Sequence, residues 1–166
     1  MERVNRLLAA PAFGEHLARI EKMEAQRSFC RHHLAHSLDV ARLCWIFLLE
    51  AGVEAGEALP RDVVYGAALL HDLGRGLEED GTGCHAAHSA ELAEPLLEAA
   101  GYTPEERRLM AGAIREHRRE EGEDFSSPLA YYLRRADKHS RLCFQCSARQ
   151  ACYKLEEMPQ GRELLY

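Results

Sequence analysis

Apolar residues recur at helical spacing along nearly the whole chain, while runs of alternating β-branched residues are missing. That pattern predicts a bundle of helices. Proline and glycine mark its joints. A first helical stretch is expected over about residues 12 to 27, after Pro11, and a second from about Arg31 to Ala51, stopping at Gly52. Pro60 stands where the first turn of a third helix belongs, and Gly74 of "HDLGR" ends it. A fourth is expected from about Cys84 to Ala100, ahead of Gly101, with Pro95 placed to kink it. Thr103, Pro104 and Glu106 spell a capping box with proline at the first helical position, opening a fifth helix. Ser127 and Pro128 repeat the device for a sixth, and a last helix is expected over Ala148 to Met158. The longest loop, Gly74 to Gly83, is rich in glycine and acid.

A length of 166 residues suits one domain with a real core. Hydrophobic residues make up 46% and charged residues 29%, which places the chain among soluble globular proteins. No apolar run approaches the ~20 residues that cross a bilayer. The opening "MERVNRLLAAPAFGEH" lacks the apolar core of a secretory leader. With six cysteines and no such leader, a cytoplasmic, reducing location is expected. A net charge of −6 argues against non-specific nucleic-acid binding. Arg107, Arg108, Arg115, Arg118 and Arg119 form a basic group, but interleaved glutamates favour a solvated helix face.

Polar residues on apolar stripes narrow the function. His36 shares a face with Val40, Leu43 and Phe47, His71 with Val64 and Ala67 or Ala68, and Asp137 with Ala130, Leu133 and Ser140. Singly, each has an ordinary explanation. His36 can be a hydrogen-bonded core residue, His71-Asp72 a helix-end cap, and Asp137 a partner of Arg134 or Arg141. A buried unpaired carboxylate nevertheless costs several kcal/mol. Together His36, His71, Asp72 and Asp137 suggest one metal-centred site. Seven of the nine histidines fall between His32 and His117, a weak hint in the same direction.

The segments "HSLDVAR", "LLHDLGR" and "ADKHSR" resemble, in order and spacing, the signature segments of the HD superfamily of metal-dependent phosphohydrolases. His36 precedes Val40 and Ala41; His71 and Asp72 precede Gly74 and Arg75; Asp137 stands between Ala136 and Lys138. The resemblance implies an all-α, single-domain HD-type bundle of about six to eight helices. The expected organisation is an N-terminal helix over 1–29, the HD domain over 30–141 and a cysteine-containing helical extension over 142–166. It also implies that His36, His71, Asp72 and Asp137 ligate a divalent ion, among Fe, Mn, Ni, Co and Mg. Further histidines complete a two-metal site in many members. His85, which precedes Ser89 and Ala90 as the pattern asks, is preferred to His88, and His117 shares a face with Met110 and Ile114. Asp72 is expected to orient or deprotonate water as well as ligate. Arg75 and Lys138 are candidates for stabilising phosphate charge, with surface salt bridges as their equal alternative. The activity implied is hydrolysis of a phosphate ester or anhydride in a small, nucleotide-like substrate. A non-catalytic HD-type nucleotide-binding signalling module, or a sensor built on the cysteines, are the rival readings.

Cys44 lies in an apolar run and reads as core, whereas Cys143, Cys146 and Cys152 form a C-x2-C-x5-C pattern. Three thiolates need a fourth ligand for a closed site, and Cys30, His139 and Cys84 are available. Cys30 is preferred, because it precedes the His36 helix that the Asp137 helix must approach. Structural Zn or an iron–sulfur cluster both suit the spacing, and reduced, unliganded thiols are the alternative.

Overall fold

The helical periodicity resolves into seven α-helices in the computed structural model, which describes residues 1–53, 59–77, 84–120 and 122–166. They are α1 (Glu2–Ala9), α2 (Pro11–Glu24), α3 (Leu34–Glu50), α4 (Arg61–Leu70), α5 (His85–Ala100), α6 (Pro104–Glu116) and α7 (Pro128–His139). A 3-10 turn, Leu73–Leu77, follows α4, and three more, Cys143–Gln145, Arg149–Ala151 and Leu155–Glu157, follow α7. The fold is an all-α bundle, with no strand among the described residues. No helix among them is long and apolar enough to cross a membrane.

The caps fall where the sequence puts them. Thr103 Oγ1 accepts from the Glu106 amide while Glu106 returns a bond to the Thr103 amide, completing the capping box of α6. Ser127 Oγ accepts from the Ala130 amide at the start of α7. Gly52 and Gly101 take positive φ beyond α3 and α5. α5 runs through Pro95 as one continuous helix.

Four expectations need correction. The expected N-terminal helix is two helices, because Pro11 pushes Ala10 into extended backbone (φ −68°, ψ 124°) and α1 ends there. α2 stops at Glu24, and residues 27–33 are irregular, so α3 begins at Leu34 rather than Arg31. α4 ends at Leu70, before Gly74. A Cβ on Gly74 would lie 2.5 Å from the Ser89 amide nitrogen and 2.6 Å from the His85 carbonyl, so this glycine permits close approach of α5 rather than stopping a helix. No α-helix forms over Ala148 to Met158, where single 3-10 turns stand instead. None of those residues is buried, so no apolar stripe favours a longer helix. The acidic part of the expected 74–83 loop, residues 78–83, lies outside the described residues.

α4 takes the centre. It buries Val63, Val64, Gly66, Ala67, Ala68, Leu69 and Leu70, as a helix with neighbours all round must. α3, α6, α7, α5 and α1 all pack on it. Gly66 admits Met110 and Tyr102, whose atoms would stand 2.6 and 2.9 Å from an added Cβ. α1 is held by Arg3, whose guanidinium grips Asp62 (2.7 and 2.9 Å) and Glu106 (2.6 and 2.9 Å) and stacks on Tyr102. With α4 central, its C-terminal end meets α3, α7, α5 and α6, and the polar residues gather there.

Candidate metal centre

Because α4 stops at Leu70, His71 falls at its C-cap and is fully buried. His71 Nδ1 donates to the Ala68 carbonyl at 2.7 Å, which turns Nε2 toward Asp72 Oδ2 (3.2 Å) and Asp137 Oδ1 (3.8 Å). α6 repeats the device. His117 caps it, donates from Nδ1 to the Ile114 carbonyl at 2.7 Å, and presents Nε2 inward. His36, in the first turn of α3, meets Ser140 Oγ through Nδ1 at 3.2 Å. That hydroxyl donates to the Asp137 carbonyl, so it accepts from His36 and leaves Nε2 bare. His36 Nε2 lies 3.2 Å from Asp137 Oδ1 and 3.7 Å from Asp72 Oδ2.

Asp72 divides the site between its two oxygens. Oδ2 faces His36 and His71, while Oδ1 faces His85 Nε2 (3.2 Å) and His117 Nε2 (3.6 Å). Two groups with ligand spacing result: His36, His71, Asp72 and Asp137, and Asp72, His85 and His117. Asp72 is common to both. His88, half-buried on the same helix as His85, belongs to neither.

Charge at the first group calls for a cation. Burial raises the pKa of Asp72 and Asp137, but the surrounding imidazoles outweigh it and hold both well below the carboxylate range. Burial also opposes charge on His71, yet Asp72 and Asp137 push its pKa up to about 10. A proton on His71 thus partly offsets two buried carboxylates. Its Nε2 is buried without a hydrogen-bond partner. Imidazole and carboxylate donors around such an atom suit a divalent ion of borderline softness, so the residues present fit one.

The second group is less prepared. Arg75 Nη1 donates to His85 Nδ1 at 3.4 Å, which puts the proton on His85 Nε2, 3.2 Å from His117 Nε2. An ion there requires that proton to move and Arg75 to yield.

Three residues that the sequence reading did not propose for the site also reach it. Arg141 Nη2 donates to His36 Nε2 and to Asp137 Oδ1, both at 3.2 Å. Asp137 therefore has the helical arginine partner foreseen for it and sits in the cluster as well; Arg134 instead donates to the Arg119 carbonyl. His32 donates from Nδ1 to Glu24 Oε1 at 2.5 Å, accepts from Arg75 Nη2 at 3.0 Å, and lies 3.8 Å from Asp72 Oδ2. Burial brings the His32 pKa down to about 4 despite Glu24. Glu24 closes the α2 stripe of Phe13, Leu17 and Ile20, a helical signal that the sequence carried. His32 has no stripe, since residues 27–33 are irregular, and its signal is the histidine-rich "CRHH".

Above both groups opens a cleft of about 380 Å³, lined by Asp72, His85, His117 and Asp137 and ringed by Arg27, Arg75, Arg118, Lys138, Arg141 and Lys154. Arg75 is mostly buried and meets His32 and His85, while Lys138 is half-buried at the wall. Of the basic group on α6 and beyond, Arg107, Arg108 and Arg119 pair with neighbouring glutamates, as a solvated face does. Cys30, Cys143 and Cys152 line the cleft's outer part; Cys44 is buried in the core. The cysteines form no group of three with sulphurs at ligand spacing among the described residues.

Residues 34–142 match the family model of the HD domain. The chain belongs to the HD domain family. Both metal-capable groups of this HD domain fall inside the matched span. An uncharacterized protein of Clostridium beijerinckii is 34% identical over 152 residues, 92% of each chain. Ribonuclease Y of Geotalea uraniireducens is 35% identical over 85 residues, and that of Geobacter sulfurreducens likewise; each covers 51% of this chain but 15% of the ribonuclease. No solved structure matches the chain. The HD domain places the protein in a superfamily of metal-dependent phosphohydrolases, with a His/Asp cluster able to hold a metal ion at its centre.

Proposed function

We propose that this HD domain hydrolyses a phosphate ester or anhydride of a small, nucleotide-like substrate. The observation that carries the reading is Asp72, shared between two metal-capable groups on the floor of a cation-ringed cleft. His36, His71, Asp72 and Asp137 would hold a first divalent ion, Fe, Mn, Ni, Co or Mg, and Asp72, His85 and His117 a second. Such an ion supplies Lewis acidity and lowers the pKa of water toward neutrality.

The chain's own residues do the rest. Asp72, held ionised, can accept a hydrogen bond from the attacking water and orient it. Lys138 and Arg141, at the cleft wall beside Asp137, are placed to neutralise phosphate oxygens, and Arg141 offers a planar fork for two of them. Arg75 donates to His32 and would release His85 to a second ion, so its proposed role is positioning His32 beside Asp72. Tyr153, 75% exposed at the rim, presents a ring face on which a base can stack. The volume suits one nucleotide.

The test is a screen of mononucleotides, dinucleotides and generic phosphodiesters with added Mn2+ or Fe2+. Hydrolysis that needs the ion and disappears in Asp72→Asn supports the proposal. Binding of nucleotides without turnover under every ion would overturn it.

A further inference from the structure

Four cysteines remain without a role. Cys143, Cys146 and Cys152 follow α7, and Cys30 lies just before α3; all are free thiols. Residues 141–159 contain no α-helix, and Cys143 is their one buried side chain. Ordering a backbone costs roughly 1–2 kcal/mol per residue, and apolar burial returns about 25 cal/mol per Å². Gln160, buried just beyond it, ties the segment's ends to the His139 carbonyl and the Phe144 amide, but one buried side chain within the segment leaves little else to set against that cost. A metal cross-link is one way to supply the remainder.

The segment nonetheless has a fixed neighbour. Phe29 and Tyr153 meet edge to face with centroids 5.9 Å apart, which brings Cys30 alongside Cys152. Cys30, Cys143 and Cys152 line one side of the same cleft. The Cys146 amide donates to the Cys143 carbonyl at 3.2 Å, closing the turn that joins the C-x2-C pair. The rival fourth ligands lie elsewhere. His139 packs against Phe47 and Tyr166, and Cys84 is exposed at the start of α5.

We propose that Cys30, Cys143, Cys146 and Cys152 form a thiolate site for one Zn2+ ion, which ties the C-terminal segment to the connection between α2 and α3. The C-x2-C spacing and four sulphur donors match a closed tetrahedral zinc site. Binding replaces four S–H bonds by four Zn–S bonds and releases four protons to solvent. Since no three sulphurs stand at ligand spacing, the ion must draw the 3-10 turns inward, and these exposed turns leave room for that. The site is independent of the hydrolase reading, but it would fix the cleft wall that carries Tyr153 and Lys154.

Zinc per chain, measured on the full protein purified without chelator, tests the assignment. One zinc is expected in the wild type, in Asp72→Ala and in Cys84→Ser, and none at this site in Cys143→Ser/Cys152→Ser. Zinc that disappears with Asp72→Ala and persists in the double variant would overturn it, as would iron with a brown chromophore. Should the double variant fail to fold, the wild type answers by thiol counting with Ellman's reagent. Stripping the ion with a chelator is expected to expose four thiols for each zinc released. Unchanged thiol reactivity would contradict the proposal. Neither readout involves a substrate, so it stands or falls apart from the phosphohydrolase reading.

Discussion

The end of α4 and the segment after α7 both place polar, metal-capable side chains on the same cleft, yet they are held by opposite means. At the end of α4, His71 and Asp72 are enclosed by α3, α5, α6 and α7, and His71 is further locked by its own helix carbonyl. Over 141–159 single turns succeed one another, and one cysteine is buried. The contrast teaches where geometry comes from. A bundle core fixes metal-capable side chains by packing alone, whereas a segment with one buried side chain has little packing to fix its own.

The sharpest way to break that comparison is at Asp72, which both metal-capable groups share. Asp72→Asn is expected to lower phosphohydrolysis on the order of 10³-fold, equivalent to several kcal/mol of transition-state stabilisation. A Lys154→Ala change on the other wall should cost less than tenfold in steady-state assays. Stability separates the regions next. Leu70→Ala, at a fully buried site, should cost about 2–5 kcal/mol in urea denaturation. Leu155→Ala, on a half-buried turn, should cost less than about 1 kcal/mol. Equal costs would mean that the C-terminal segment has a core of its own.

Gly74→Ala probes the joint between α4 and α5. Its Cβ would strike backbone on Ser89 and His85, so a loss of about 1–3 kcal/mol is expected, with His85 displaced. Titration with Mn2+ should then show the weaker of two binding steps lost and the stronger retained. Far from the cleft, Arg3→Ala should cost about 1–3 kcal/mol by stripping Asp62 and Glu106 of their partner. Hydrogen bonding from Arg3 lowers the Asp62 pKa, and for Glu106 the same bond outweighs the opposing burial. Stability from these carboxylates is therefore present above their unfolded values, 3.8 and 4.5, and is lost as pH falls through the lower folded values. The wild type should lose stability more steeply than Arg3→Ala below about pH 4.5, a difference that thermal melts across pH would show.

Much of this was legible in the sequence because burial and helical spacing go together. His36, His71 and Asp137 each lie on an apolar stripe, and the structure brings all three to Asp72. The capping box at Thr103 and the glycine after α5 are local chemistry and appear where expected. Glu24 lay on the α2 stripe and was passed over, whereas His32 and Arg141 were harder to find. His32 stands in an irregular connection with no period, and Arg141 enters the cluster through tertiary approach of α7 to α3. Gly74 was misread as a stop because a glycine that permits close approach and one that ends a helix look alike in sequence. The expected C-terminal helix failed for a related reason. Ala148, Leu155 and Met158 have helical propensity, but each is only half-buried, so no covered apolar stripe holds them in a helix.

The central claim is that His36, His71, Asp72 and Asp137 enclose a divalent ion. Anomalous diffraction from crystals grown with Mn2+ addresses it most directly. The account predicts a strong peak about 2.0–2.2 Å from the two Nε2 atoms and the two carboxylates, with the Arg141 guanidinium withdrawn from His36. An Arg141 still bonded to His36 Nε2, with no peak among the four residues at saturating Mn2+, would contradict it.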